Sequence, residues 1–156
     1  MTKAVQWVTG MLMVLVAGVF WGTWFALSRT MEHFSAAMFI AIGKDIIRNV
    51  SGAMPVIMPG SIIGLALLLI MGRKQRDTYF YCILGALVLF IAALVITVGI
   101  EVPIDNQLKN WTADTVPANW QSIRQKWETF HMLRTFISLA GMGAFIAAVL
   151  SKNVKY

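Results

Sequence analysis

Four stretches of about 20 apolar residues, nearly free of charge, constrain this chain more than any other feature. They are 5–27, 54–71, 80–100 and about 130–150. A bilayer is crossed by roughly 20 residues of α-helix. Lipid offers no partner to an unpaired backbone amide, so each stretch is expected to span as a helix. The expected fold class is therefore all-α, an integral membrane four-helix bundle forming a single transmembrane domain over residues 1–156. The first run is too long for the apolar core of a signal peptide and reads as a retained span. Charged residues make up only 13% of the chain and mean hydropathy is +0.72. A soluble domain carries about a quarter charged residues, so an ordinary water-soluble globule is excluded. The single cysteine, Cys82, excludes an intrachain disulfide framework, a thiolate zinc cage and a Cys-x-x-Cys redox pair.

The formal net charge of +6 invites a nucleic-acid reading until the basic residues are located. They flank the apolar runs and set a membrane orientation instead, so no nucleic acid is expected as a partner. Lys3, Arg73, Lys74, Arg76, Lys152 and Lys155 fall on one side of a four-span bundle, against the single acid Asp77. The other side holds seven basic residues and six acids, six of each over the connections 28–53 and 101–129 and Arg134 just inside the fourth span. The positive-inside rule then places both termini and the 73–78 turn in the cytoplasm, with a bacterial inner membrane as the expected location. The tight turn makes the second and third spans antiparallel neighbours.

Gly18-Val-Phe-Trp-Gly22 and Gly60-Ser-Ile-Ile-Gly64 both place small residues four apart, and the fourth span carries Ala140, Gly141, Gly143, Ala144, Ala147 and Ala148. Such spacing lets helix backbones approach, and the expectation is contact inside the bundle. The ten methionines are scattered along apolar faces as gap fillers rather than as a copper path. Between the first two spans, Phe39, Ile42, Ile46 and Val50 form one helical stripe, with Lys44, Asp45, Arg48 and Asn49 mostly off it. This reads as an extra amphipathic helix lying in the outer interface before Pro55 opens the next span. Trp21, Trp24, Trp111, Trp120 and Trp127 gather toward the same outer side, as an aromatic belt would.

The connection after the third span carries the chemistry. Glu101 ends that span, Pro103 is expected to stop the helix, and Asp105 and Asn106 to form a capped turn. From Pro117 the chain turns helical again. Trp120, Arg124, Trp127, His131 and Arg134 recur at spacings of four, three, four and three, which puts them on one helix face. Ser138, Gly141 and Phe145 carry that face into the membrane. Arg134 lies about one turn inside the apolar run, where a charge is costly and is usually paired or functional. His33 and Glu32 end the first span on this side, so His33, His131, Glu32, Glu101, Asp105 and Arg134 converge on one mouth. Three readings stay open at this point. One is a structural ion-pair network, and another is a substrate pocket with an acid/base and an anion-stabilising arginine. The third is a metal site drawing on His33, His131 and Glu32.

Glu101-Val-Pro-Ile-Asp-Asn106, followed by Trp111, Pro117, Trp120, Arg124, Trp127, His131 and Arg134-Thr135, resembles the anthrone oxygenase-like family of small four-span membrane proteins. The resemblance is close over 101–135 and looser over 35–55. Asp105 stands where the family often has asparagine. The resemblance implies oxidation of a polyketide anthrone to an anthraquinone by molecular oxygen, with no established prosthetic group. It also implies a pocket built from His131, Arg134, Arg124, Trp127, Asn106 and Glu101. On these residues a base, His131 or Glu101, would take a proton from the anthrone methylene, and Arg134 or Arg124 would stabilise the enolate oxygen. Trp120 and Trp127 would stack on the rings, with Asp105 and Asn106 contacting the substrate.

The expected function is thus oxidation of a small lipophilic aromatic molecule at an outward-facing polar pocket. Two other classes compete with it. One is a non-enzymatic accessory or assembly subunit of a larger membrane complex, docking through the amphipathic helix and tryptophans. The other is a metal- or quinone-binding membrane protein. The cofactor is accordingly left as none, a metal ion or a quinone. The expected partners are the lipid bilayer, a small lipophilic molecule, and either further copies of the chain or a larger membrane complex.

Overall fold

Long apolar sequences with few β-branched breaks and no water to compete for backbone hydrogen bonds close into helices, and that is what the computed structural model shows. It describes residues 2–31, 33–74 and 76–153. Helix α1 (Thr2–Gly22) runs into a π-helical turn at Thr23–Ser28 and a last helical turn at Arg29–Met31. Helix α2 is Ala36–Gly72, α3 is Thr78–Ile96, and a second π-helical turn at Thr97–Glu101 joins α3 to α4, Val102–Asn110. Helix α5 is Trp120–Asn153. No strand occurs among the described residues. Four helical runs are long and apolar enough to cross a membrane. The fold is therefore the expected all-helical, four-span architecture.

Local chemistry starts and stops these helices. The Ser35 hydroxyl accepts from Met38 N at 3.3 Å and caps α2, and Asp77 Oδ1 accepts from Phe80 N at 3.1 Å and caps α3. Each side chain satisfies an amide that has no partner within its own helix. Gln6 Nε2 donates to Tyr79 Oη at 3.2 Å, which ties the start of α1 to the start of α3. Both described ends of the chain and the 73–77 turn therefore share one end of the bundle. The opposite, distal end carries the two longer connections.

The bundle core is apolar and tightly filled. Met13, Val16, Leu65, Leu68, Ile83 and Phe90 are fully enclosed. The outward faces are apolar as well: Trp7 is 74% exposed, Val56 71% and Val95 64%. Large apolar side chains bared to this extent all around a helix bundle require lipid as their solvent. Of the two small-residue pairs, Gly60 and Gly64 do make the expected close approach, against Leu12 and Thr9 of α1. Gly18 and Gly22 do not, because a methyl group added at either would meet nothing within 4 Å. Gly141 makes room for the Phe90 ring.

Two expectations are corrected. The amphipathic stretch 35–50 is helical, but it is no separate element: α2 continues through Pro55 and Pro59 without a break. A helix of 37 residues is about 55 Å long, far more than the ~30 Å of hydrocarbon, so its first half stands beyond the span. That half makes tertiary contacts of its own. Phe39, Ile40 and Ile47 pack with Met31, Ile104, Leu108, Trp111 and Trp127 in a second apolar cluster that caps the distal end. Nor does Pro103 end the third span. The π turn before it shifts the backbone register, with Val102 N donating to Thr97 O, and the proline falls in the first turn of α4. A proline lacks only a donor that such a turn does not need. Asp105 and Asn106 consequently sit on a helix, not in a turn.

Candidate functional site

Helix α5 brings its stripe in on one face, as the spacing requires. Trp127 and His131 stack face to face, with ring centroids 4.9 Å apart and planes 5° from parallel. His131 Nε2 lies 3.2 Å from the carbonyl oxygen of Phe20 on α1. That oxygen can only accept, so Nε2 carries the proton. On the other ring nitrogen, Arg134 Nη2 approaches Nδ1 at 2.8 Å and Nε at 3.2 Å. A guanidinium can only donate, so Nδ1 accepts. Both nitrogens of His131 are thus engaged and its tautomer is fixed from two sides.

Arg134 is the hub. Its Nη2 also meets Glu101 Oε2 at 2.9 Å, and Nη1 donates to Thr97 Oγ1 at 3.2 Å. The guanidinium lies over the Phe20 ring, 4.4 Å from the centroid. Arg134 is 8% exposed and Glu101 is fully buried. These two residues form a buried ion pair. Glu101 Oε1 has no hydrogen-bond partner among the described residues. Below this layer the polar side chains of α5 turn back on their own helix: Thr135 Oγ1 donates to His131 O at 2.7 Å and Ser138 Oγ to Arg134 O at 2.8 Å. These bonds let hydroxyls lie in an apolar core without unpaired groups.

The two π-helical turns both pack against α5. A π turn skips one α-type hydrogen bond and frees backbone for other partners. The Phe20 carbonyl, just ahead of the first π turn, serves His131 and, at 3.4 Å, Thr135. Thr97 and Glu101 bound the second and both reach Arg134.

A cavity of about 460 Å³ opens beside the cluster. Its walls are mostly apolar, including Phe20, Met31, Phe39, Ile46, Met58 and Trp127, and its polar end is formed by Asp105, His131, Arg134 and Thr97. Asp105 Oδ1 accepts from Trp127 Nε1 at 3.3 Å. Asn106 reaches the rim, where its Oδ1 accepts from Lys109 Nζ at 3.0 Å. The size and the few convergent polar groups are those of a small-molecule site.

The structure separates the expected site residues into three groups. Asp105, Asn106, Trp127, His131 and Arg134 line the cavity, and Glu101 stands behind Arg134, out of reach of the cavity wall. Arg124 and Trp120 share the stripe but lie above it. Arg124 donates to Met31 O at 2.8 Å, pairs with Glu128 at 3.5 Å and sits over the Trp120 ring, and Trp120 packs on Phe39. They brace α5 against the Arg29–Met31 turn and the start of α2. His33 is exposed on the connection into α2, and Glu32 lies outside the described residues. Among the described residues no group of three or more His, Cys, Asp or Glu is placed to hold a metal ion. His131, with both nitrogens engaged, is also poorly disposed as a ligand. Of the tryptophans read as a belt, Trp21 and Trp24 cluster with Phe25 and Phe136, whereas Trp111 and Trp127 are buried in the distal cap.

Sequence reasoning missed Phe20, Thr97 and Met58. Thr97 precedes Glu101 by one turn, a spacing that could have flagged it. Phe20 contributes a backbone carbonyl and a ring face, which no polar pattern announces.

No curated protein and no solved structure matches the chain. The model of the anthrone oxygenase family matches residues 46–144, which takes in α2 beyond its first turns, all of α3 and α4, and α5 past the whole polar cluster, and the chain belongs to that family.

Proposed function

We propose that the chain is a membrane oxidoreductase that oxidises a flat, lipophilic, CH-acidic aromatic molecule of the anthrone type with molecular oxygen. The observation that carries this reading is the cavity itself, with largely apolar and aromatic walls leading to an inner polar end built by Asp105, His131 and Arg134. A ring system fits between Phe20, Phe39 and Trp127, and its ketone oxygen is received by Arg134. The carboxylate of Asp105, which borders the cavity, takes the methylene proton. His131 is the weaker candidate for base, because its lone-pair nitrogen already accepts from Arg134. Its role is to hold Arg134 and Trp127 in place. Glu101 supplies the buried counter-charge that keeps the guanidinium where the enolate oxygen forms.

The steps balance without a further reductant. Breaking the C–H bond gives Asp105 a proton and leaves the electron pair on the enolate. The enolate carbon is oxidised as it bonds to dioxygen, which is reduced to a peroxide. Loss of the second methylene hydrogen and cleavage of the O–O bond release water and leave a carbonyl. Each turnover therefore consumes one dioxygen and gives one quinone and one water. An oriented guanidinium in a water-poor site stabilises the developing oxyanion by about 3–4 kcal/mol, a factor of 10²–10³ in rate.

The test uses the full chain in proteoliposomes with anthrone, following oxygen uptake and anthraquinone absorbance against empty vesicles. Arg134→Met is expected to lower kcat/KM by about 10²–10³. Asp105→Asn is expected to abolish anaerobic exchange of the methylene hydrogens with deuterated water. A wild-type rate no greater than that of empty vesicles would refute the reading.

A further inference from the structure

The cavity is closed toward one end of the bundle and toward the other, but not along one side. At the end bearing the turn, α2 and α3 pack together, Gly72 against the Tyr79 ring and Leu65 and Leu68 in one cluster with Ile83 and Ala86. At the distal end α4 folds back onto α2. Leu108 there presses on Gly43, and Lys44 Nζ donates to Trp111 O at 2.7 Å. Between these two closures the wall is a single layer of side chains. Pro55 on α2, Val98 in the π turn and Val102 at the start of α4 line the cavity from within and are also exposed on the outside of the bundle. Val98 is 59% exposed and Val102 40%. Pro55 and Val98 belong to the apolar spans, so what this side faces is hydrocarbon.

We propose that the cavity takes its ligand sideways from the bilayer, through a window between α2 and the α3–α4 junction framed by Pro55, Val98 and Val102. The ligand is a membrane-dissolved molecule with a flat apolar ring system and an oxygen acceptor at one edge. The ring passes the apolar frame without shedding its lipid solvation for water, and the oxygen meets Arg134 at the far end. A charged or strongly hydrated ligand would have to cross that frame stripped of water, which is strongly unfavourable. Two features of the chain fit the route. The proline at the frame is already without an N–H, so the thinned wall exposes no additional backbone donor to lipid at that position. The charged groups of the lining lie at the inner end, at Asp105, His131 and Arg134, and at Lys109 on the distal rim, and the polar residue next to the frame is the uncharged Ser51, one turn before Pro55. This inference rests on the cavity being the ligand site, but its test does not depend on the oxidation reaction.

The full chain is reconstituted in phosphatidylcholine vesicles and irradiated with an apolar, bilayer-partitioned aryl diazirine, and adducts are localised by mass spectrometry. Phe20 and Met58 are only 2% exposed and line the inner cavity. Both are expected to be labelled, alongside the lipid-facing Ile91. Val98→Trp, and independently Val102→Trp, should abolish the Phe20 and Met58 adducts and leave those at Ile91 in place. Val56→Trp, at an exposed site away from the frame, should change nothing. Absence of label at Phe20 and Met58 in the wild type would overturn the window. So would labelling that persists in both window variants, or that is obtained as strongly with a water-soluble diazirine. If the window is found but anthrone is not oxidised, the reaction is wrong and the route stands.

Discussion

Arg134 holds a full charge at the depth of the apolar spans, and the arrangement around it is readable as the consequence. A guanidinium needs acceptors for its donors, and it finds Glu101, Thr97 and His131 Nδ1 within 3.2 Å. Removing one partner of such a buried pair costs more than removing both, because an uncompensated charge is left behind. Glu101→Leu is therefore expected to destabilise the folded protein by about 3–5 kcal/mol. The double variant Glu101→Leu/Arg134→Met should recover most of that loss. Thermal unfolding of the two variants in the same detergent, followed by far-ultraviolet circular dichroism, reads the comparison. Equal losses in the single and the double variant would show that the pair is not coupled as the distances imply. At this scale the sequence revealed most of the site: the periodicity of Trp127, His131 and Arg134 gave their common face, and the end of the third span gave Glu101. It did not distinguish the cavity-lining members of the stripe from Arg124 and Trp120, since helical spacing fixes a direction around the axis but not which neighbour stands at each height.

Helix α2 shows why element boundaries were harder to read than elements. Proline is ordinarily a sign that a helix begins or ends, and Pro55 was read as a beginning. The 36–54 segment continues into the span because Phe39, Ile40 and Ile47 have the distal cap to pack against, and that contact is invisible along the chain. The two π-helical turns were illegible for a related reason, since a shift of one backbone register leaves no periodic trace in side-chain polarity. Small-residue spacing was informative only in part. Gly64 is pressed by Thr9, whereas Gly18 has open space where a methyl would go. Gly64→Ala should thus force α1 and α2 apart and cost about 1–3 kcal/mol of stability. Gly18→Ala should be neutral or stabilising by up to about 1 kcal/mol, because alanine lowers the backbone entropy of the unfolded chain. Midpoints of thermal unfolding for the two variants, measured side by side, decide whether the small-residue pairs are equivalent. A fall for Gly18→Ala as large as that for Gly64→Ala would contradict the packing described.

The whole molecule is asymmetric end to end. One end has a tight turn and the helix starts that Gln6 and Tyr79 tie together, and the other carries an apolar cap and the polar cluster with its cavity. The charge follows the same division: among the described residues, five basic residues stand against one acid at the turn end and seven against five at the distal end. Retention of positive loops in the cytoplasm is a property of insertion, counted over short flanking segments, and the 73–77 turn is of that kind. The cap is consequently expected on the extracytoplasmic face. Single cysteines in a Cys82→Ser background report this directly, because Thr112 and Arg76 are both exposed and lie at opposite ends. A membrane-impermeant maleimide added to intact cells should modify Thr112→Cys and spare Arg76→Cys until the membrane is opened by detergent. The opposite pattern would turn the molecule over and place the cap and the polar end of the site in the cytoplasm. The window between α2 and the α3–α4 junction would be unaffected, since it faces the bilayer in either orientation.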